Sequence, residues 1–191
     1  MGRIIKVDST AMIRLADTTA FTAGDEISNH ATAGSVVRPV FNLDGFNRGR
    51  ILGAGLGISS NGTIVITALN FDMLLYKTAS VPAAVGNNVA FPLTADQRRA
   101  AIGRFLFDDG GWQNTLGAYS AGAQAFQYVA AGYPVPLATP TLYAPHVPGF
   151  FFEFRGGEAK TLTAVFQVLA ALDPGTEADT YTITLDVEVD Y

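Results

Sequence analysis

Cysteine is absent from the 191 residues, which excludes a disulfide framework, a thiolate metal site and a cysteine nucleophile. Histidine is scarce. His30 and His146 stand alone in loop-like sequence, whereas a cupin-type metal site, the common catalytic use of a jelly roll, needs several ligands including closely spaced histidines. Charged residues make up only 15% of the chain, and no stretch reaches the ~18 uninterrupted apolar residues of a membrane span. No period of about 20 to 50 residues repeats, which argues against solenoids and propellers. Basic charge is also short: the net charge is −5, so nucleic acid is not expected as a direct partner, because phosphate binding is dominated by clustered Lys and Arg. Residues 161 to 191 hold Asp173, Glu177, Asp179, Asp186, Glu188 and Asp190 and no Lys or Arg. Met1 to Val7 has Arg3 and Lys6 but no apolar run of signal-peptide length, so synthesis and folding in a cytoplasm is the expectation.

What is present is 49% hydrophobic residues with 20 glycines and 9 prolines, the make-up of one compact, turn-rich domain over 1–191. The clearest element is Thr180 to Tyr191, where Tyr181, Ile183, Leu185, Val187, Val189 and Tyr191 alternate without error with Thr, Asp and Glu. A period of two marks a half-buried strand with one wet face, the pattern of antiparallel sheets. Lys160 to Leu172 precedes it across Asp173-Pro174-Gly175 and reads as the adjacent strand. Further strands are expected at Ala11 to Ala16, Val36 to Phe41, Thr63 to Tyr76, Ile102 to Phe107, Gln124 to Ala130 and Gly149 to Arg155, with Gly, Asn and Asp punctuation between them. One short helix is expected from Ala95 to Ile102, with Thr94 as N-cap, Gln97 at capping-box spacing and Gly103 as its stop. The fold class is therefore all-β: an antiparallel β-sandwich or jelly roll with one short helix and an extended Pro-rich arm. The arm is residues 133–148, with five of the nine prolines. Proline fixes φ and removes ladder donors, so the segment reads as a long loop on its own domain or as an arm lying on a neighbouring subunit. On the second reading Tyr133, Pro134, Pro136, Leu142, Tyr143 and Pro145 are the partner-contact candidates.

Little here carries catalytic chemistry. Gly53-Ala54-Gly55-Leu56-Gly57 has the look of a nucleotide loop, but turn residues follow where a helix should open, and small residues there let backbones approach or a strand bend. Asp25-Glu26 and Asp108-Asp109 read as turn formers beside glycine. Arg98, Arg99 and Arg104, flanked by Asp96 and Asp108, read as a solvated face. No Gly-x-Ser-x-Gly elbow occurs. No catalytic residue, metal ligand or cofactor is nominated, and the protein is not expected to be an enzyme. The aromatics Trp112, Tyr119, Phe126, Tyr128, Tyr133 and Tyr143 offer a sugar- or protein-binding face; Phe126 and Tyr128 share strand parity, although core packing explains them more simply. Phe150 to Phe154 reads as structural.

Ala20-Phe21-Thr22-Ala23-Gly24-Asp25-Glu26-Ile27, Gly62-Thr63-Ile64-Val65-Ile66, Leu74-Leu75-Tyr76-Lys77, Asn87-Asn88-Val89-Ala90-Phe91 and Leu93-Thr94-Ala95-Asp96 followed by Ile102-Gly103 occur in that order. Together they resemble the jelly-roll head decoration, or cement, proteins of tailed bacteriophages, over roughly residues 16 to 107, about half the chain. The resemblance implies a virion protein on the capsid exterior, bound to the major capsid protein, commonly trimeric and bridging capsomers, with no catalytic residues to carry over. Gly110 to Pro148 departs from that pattern. The other reading is a carbohydrate- or receptor-binding module of a phage fibre or tail.

Burying Ile183, Leu185, Val187 and Val189 is worth on the order of 6 to 12 kcal/mol as an upper bound. Leu185→Asp is therefore expected to abolish soluble expression; soluble material with cooperative unfolding would show that the strand's faces are assigned the wrong way round.

Overall fold

A computed structural model describes residues 2–16, 19–60, 70–108, 113–114, 124–131, 149–171 and 178–189. Its strands are β1 (Arg3–Asp8), β2 (Met12–Ile13), β3 (Asp25–Ile27), β4 (Val40–Asn42), β5 (Arg48–Ser60), β6 (Phe71–Lys77), β7 (Val89–Ala90), β8 (Gly103–Phe107), β9 (Gln113–Asn114), β10 (Gln124–Ala130), β11 (Phe150–Glu153), β12 (Thr161–Val168) and β13 (Asp179–Val189). The helix α1 is Ala95–Ala100.

All pairings are antiparallel, and they build two sheets. One, of seven strands, runs β1-β13-β5-β10-β9, with β2 sharing the β13 edge with β1 and β11 sharing the β5 edge with β10. The other, of six strands, runs β7-β3-β12-β6-β8, with β4 sharing the β12 edge with β3. Strands that share an edge occupy one position, and with the two-residue edge strands β7 and β9 set aside eight positions remain, numbered along the chain. Their order is 1-8-3-6 in the first sheet and 2-7-4-5 in the second, the connectivity of a jelly roll. The all-β sandwich expected from the sequence is the observed architecture.

The core lies between the sheets. Phe71 and Phe166 of the six-stranded sheet meet Tyr181 of the other, with the Phe166 and Tyr181 ring centroids 5.7 Å apart, and Phe107 packs on Phe71. Burial first, then the charge of Asp179, raises the Tyr181 hydroxyl pKa. The expectation that Lys160–Leu172 and Thr180–Tyr191 form adjacent strands needs correction: β12 and β13 lie in different sheets and face each other across the core. Turn chemistry between two strands does not say whether they pair or stack.

β6 and β12 are buried on both faces. Phe71, Met73, Leu75, Leu162, Ala164 and Phe166 point into the main core, while Leu74, Tyr76 and Val165 point the other way into a second cluster with Phe91. That outer face is covered by the chain from Val81 to Ala101, whose Val81, Val85, Leu93 and Ala101 pack on it. α1 belongs to this cover. Its capping box is formed as expected, with Gln97 N–H donating to Thr94 Oγ1 at 3.2 Å and Thr94 N–H donating to Gln97 Oε1 at 2.9 Å. The helix stops at Ala100, and Gly103 does not end it but opens β8, where a Cβ would strike the Phe150 ring.

The turn-former reading holds for Asp25 and is corrected for Glu26, although both open β3. Asp25 does close the turn before it, accepting from Thr22 N–H at 2.6 Å beside Gly24 at φ +98°. Glu26 is fully buried. Its Oε1 accepts from Arg38 Nε at 2.7 Å and its Oε2 from Val85 N–H at 2.9 Å, and the Arg38 guanidinium sits 5.3 Å from the centre of the Phe91 ring. The carboxylate thus ties the cover to the sheet. Of the basic cluster, Arg99 pairs with Asp96 and Arg104 with the buried Asp72, not with Asp108.

Breaking a buried pair from one side leaves an uncompensated charge. Arg38→Met should lower unfolding stability by about 3 to 5 kcal/mol in urea denaturation, and adding Glu26→Gln should recover part of that loss; equal stability of the single and double variants would show that the pair is not what secures the cover.

Candidate functional site

The two sheets differ in what lies outside them. The outer face of β6 and β12 in the six-stranded sheet is covered, whereas β13, central in the seven-stranded sheet, alternates buried inward positions with outward ones that keep some exposure. Of the large apolar side chains that remain exposed, Ile4, Ile13, Phe126, Tyr128 and Phe151 belong to this one sheet. Its outer face is the candidate functional surface.

The centre of that face is β5. Thr182, Thr184 and Asp186 of β13 stand opposite Gly57, Gly55 and Gly53, and on the other side Phe126 and Tyr128 of β10 stand opposite Gly57 and Gly55. A bulge at Leu52, where Asp186 pairs with Gly53 and Val187 with Ile51, resets the alternation so that Arg50 also faces outward. The outward residues from 53 to 57 are therefore all glycine. A Cβ on Gly53 would lie 2.1 Å from Tyr128 Oη, and one on Gly55 would lie 3.1 Å from Phe126 Cζ and 3.7 Å from Tyr128 Cδ2. The Tyr128 ring lies across β5 because the strand beneath it has no side chains. Its hydroxyl reaches β13 and donates to Asp186 Oδ2 at 2.9 Å, and Asp186 Oδ1 accepts from Lys6 Nζ of β1 at 2.9 Å. Partial burial against the sheet, then the hydrogen bond and charge of Asp186, push the Tyr128 pKa up to about 12.

Towards the other end, Arg50 donates to Glu188 Oε2 at 2.9 Å through Nε, and its guanidinium lies 5.8 Å from the Phe151 ring centre. Phe151 is 68% exposed. Arg48, Arg50, Phe151, Glu153 and Glu188 border an open groove of about 670 Å³ there. The face thus runs from Phe151, beside Arg50, through Tyr128, bonded to Asp186, to Phe126 over Gly55.

The sequence-nominated contacts Tyr133, Pro134, Pro136, Leu142, Tyr143 and Pro145 lie outside the described residues, as do Trp112, Tyr119 and His146. The described chain leaves β10 at Ala131, whose N–H donates to Leu52 O at 2.7 Å, and resumes at Gly149 before Phe150 pairs with Ile51. Both ends of the segment between them are therefore seated on β5. His30 Nδ1 accepts from Thr32 N–H at 3.0 Å within its own turn. Among the described residues no group of three or more His, Cys, Asp or Glu is placed to hold a metal ion. The core reading of Phe126 and Tyr128 is corrected, since they are 41% and 49% exposed. The Phe150–Phe154 run is mixed: Phe152 and Phe154 are buried, and Phe151 is the most exposed of the large apolar side chains. The sequence signal for this face was the matching parity of Gly-x-Gly-x-Gly and Phe-x-Tyr, which pairs only once β5 and β10 are known to be neighbours.

No family model matches the chain, and no curated protein matches it. Among solved structures, one of Desmodium yellow mottle tymovirus is similar at 8% identity over 100% of this chain and 91% of that one, with a TM-score of 0.24, a value at which superposition says nothing of shared fold or function.

In the unfolded chain Tyr128 ionises near 10, but folded it keeps its proton to about 12. The native state therefore binds more protons over that interval, and stability falls as pH rises from 10 towards 12. Tyr128→Phe should flatten this fall in urea titrations run from about pH 9 to 11.5, leaving the part due to Tyr181; an unchanged slope would mean that the hydroxyl is not held by Asp186.

Proposed function

We propose that the chain is a structural virion protein, a jelly-roll module that decorates the outside of a tailed-phage head and bridges capsomers. The observation that carries this reading is that two of the resemblance motifs, Ala20–Ile27 and Asn87–Phe91, far apart in sequence, meet in one unit, while Gly62–Ile66 lies outside the described residues. Asp25 and Glu26 pair with Ala90 and Val89, Asn88 N–H donates to Glu26 O at 3.0 Å and Phe91 N–H to Gly24 O at 2.9 Å. Gln167 Nε2 donates to Phe91 O at 2.9 Å from β12. Motifs that build one corner of a fold together are stronger support than the same motifs scattered over it. Jelly rolls are used repeatedly in viral capsid and lectin modules, which agrees with the reading at the level of fold alone.

The mechanism is binding rather than catalysis. A protein that binds only the assembled shell stabilises it by mass action, and a homotrimer would add holding power through multivalency. The major capsid protein is the proposed partner, with Tyr133, Pro134, Pro136, Leu142, Tyr143 and Pro145 as proposed contacts, and no cofactor is required. The fibre or tail reading differs in stoichiometry.

Quantitative mass spectrometry of purified particles should find this chain in a simple whole-number ratio to the main shell protein, and deletion of residues 133–148 should lower occupancy without changing the melting temperature of the free protein. A handful of copies per particle would move the module to a fibre or tail, and unchanged occupancy of the deletion would sink the contact assignment.

A further inference from the structure

We propose that the outer face of the seven-stranded sheet is a binding ledge for an extended neutral glycan, with Phe126, Tyr128 and Phe151 as its stacking platforms. The ledge does not depend on where in a particle the module sits.

The first ground is the posture of the rings. Tyr128 is laid over Gly53 and Gly55 and tethered at its hydroxyl to Asp186, and Phe126 lies over Gly55. Phe126 and Tyr128 keep 41% and 49% of their surface open, and the C–H face of a pyranose fits against exposed ring area of this kind. Gly53, Gly55 and Gly57 raise no side chain between these rings and the Thr182 and Thr184 hydroxyls opposite, so the ledge is flat.

The second ground is charge. Lys6 pairs with Asp186, Arg50 with Glu188, and Asp8 accepts from the Thr184 hydroxyl. Charges already matched within the sheet leave little field to attract a polyanion or polycation, and the charge complement of such a face is a neutral ligand. The same groups keep spare hydrogen-bonding capacity: carboxylate lone pairs, ammonium protons and threonine hydroxyls, which is what a polyhydroxylated chain uses. A second protein copy fits less well, because protein interfaces are depleted of charge at their centres and here Asp186, paired with Lys6, stands beside Gly53 in the middle of the face, with the Arg50–Glu188 pair at one end.

The third ground is extent. From Arg50, opposite Phe151, to Gly57, opposite Phe126, β5 covers about 23 Å at ~3.3 Å per residue. Rings spread over that length serve a chain rather than a single sugar.

The test is affinity electrophoresis of the full chain in native gels containing dextran, yeast mannan, laminarin or arabinogalactan, with alginate and heparin as charged comparators. Retardation by at least one neutral polymer is expected. Phe151→Ala and Phe126→Ala should each weaken it roughly tenfold, the first at unchanged melting temperature, and Tyr128→Phe, which keeps the ring on the glycines, should retain most of it. Phe151 is so exposed that its truncation is not expected to threaten the fold. Absence of retardation by every neutral polymer, retardation only by the charged ones, or retardation indifferent to the ring variants would overturn the proposal. So would light scattering that shows an oligomer dispersed by the same variants, which would assign the face to a second copy. Particle copy number does not enter this result, so failure of the ledge and failure of the head-decoration reading are separable.

Discussion

β6 and β12 carry apolar side chains on both faces, and much of the rest of the molecule follows from the need to cover the second one. The main core takes Phe71, Met73, Leu75 and Phe166. Leu74, Tyr76 and Val165 then require a separate lid of chain, and a lid made of loop and one short helix has little hydrogen bonding of its own. It is held by polar anchors instead: Glu26 to Arg38 and Val85, Asn87 Oδ1 to Ser28 N–H at 3.0 Å, and Gln167 to Phe91 O. A buried carboxylate is costly unless both oxygens are satisfied. Here they are, which turns a liability into a locator for the loop.

The other sheet meets the opposite problem. Its central strand β5 is apolar inward through Ile51, Ala54, Leu56 and Ile58 but bare outward, and bare backbone beside solvent is a weak element. The neighbouring strand supplies the missing surface by laying Phe126 and Tyr128 over the glycines, an arrangement that shields the ladder and fixes two rings at once. Stability and presentation thus have one cause. A binding face made this way is rigid, and rigidity reduces the ordering cost of recognition.

A good deal of this was legible in the sequence where the signal was local. Gln124–Ala130 is a strand with the bounds expected, Asp179–Val189 follows its alternation, and the Thr94–Gln97 box caps the helix that its spacing specifies. β5 was not legible at its full length, because glycine at the outward positions and the bulge at Leu52 erase the alternation that marks a strand. Glu26 was misread because turn propensity is a statement about a solvated acid, and Glu26 is held in a strand by an arginine twelve residues on. Val36–Phe41 shortened to Val40–Asn42, and ahead of it the Arg38 side chain turns in to the buried Glu26.

By itself the sequence determined the class: antiparallel strands from period-two patterning, turns from Gly, Asn and Asp, one capped helix, and no cysteine chemistry, since each of these is decided within a few residues. Only the tertiary structure decided which strands pair and which stack, that β12 and β13 face each other across the core, and that Gly53, Gly55, Phe126, Tyr128 and Asp186 form one surface. Those residues come from three strands far apart in the chain, and pairing between distant strands is chosen by how well whole sheet faces can be buried together, a property that no short stretch of sequence carries.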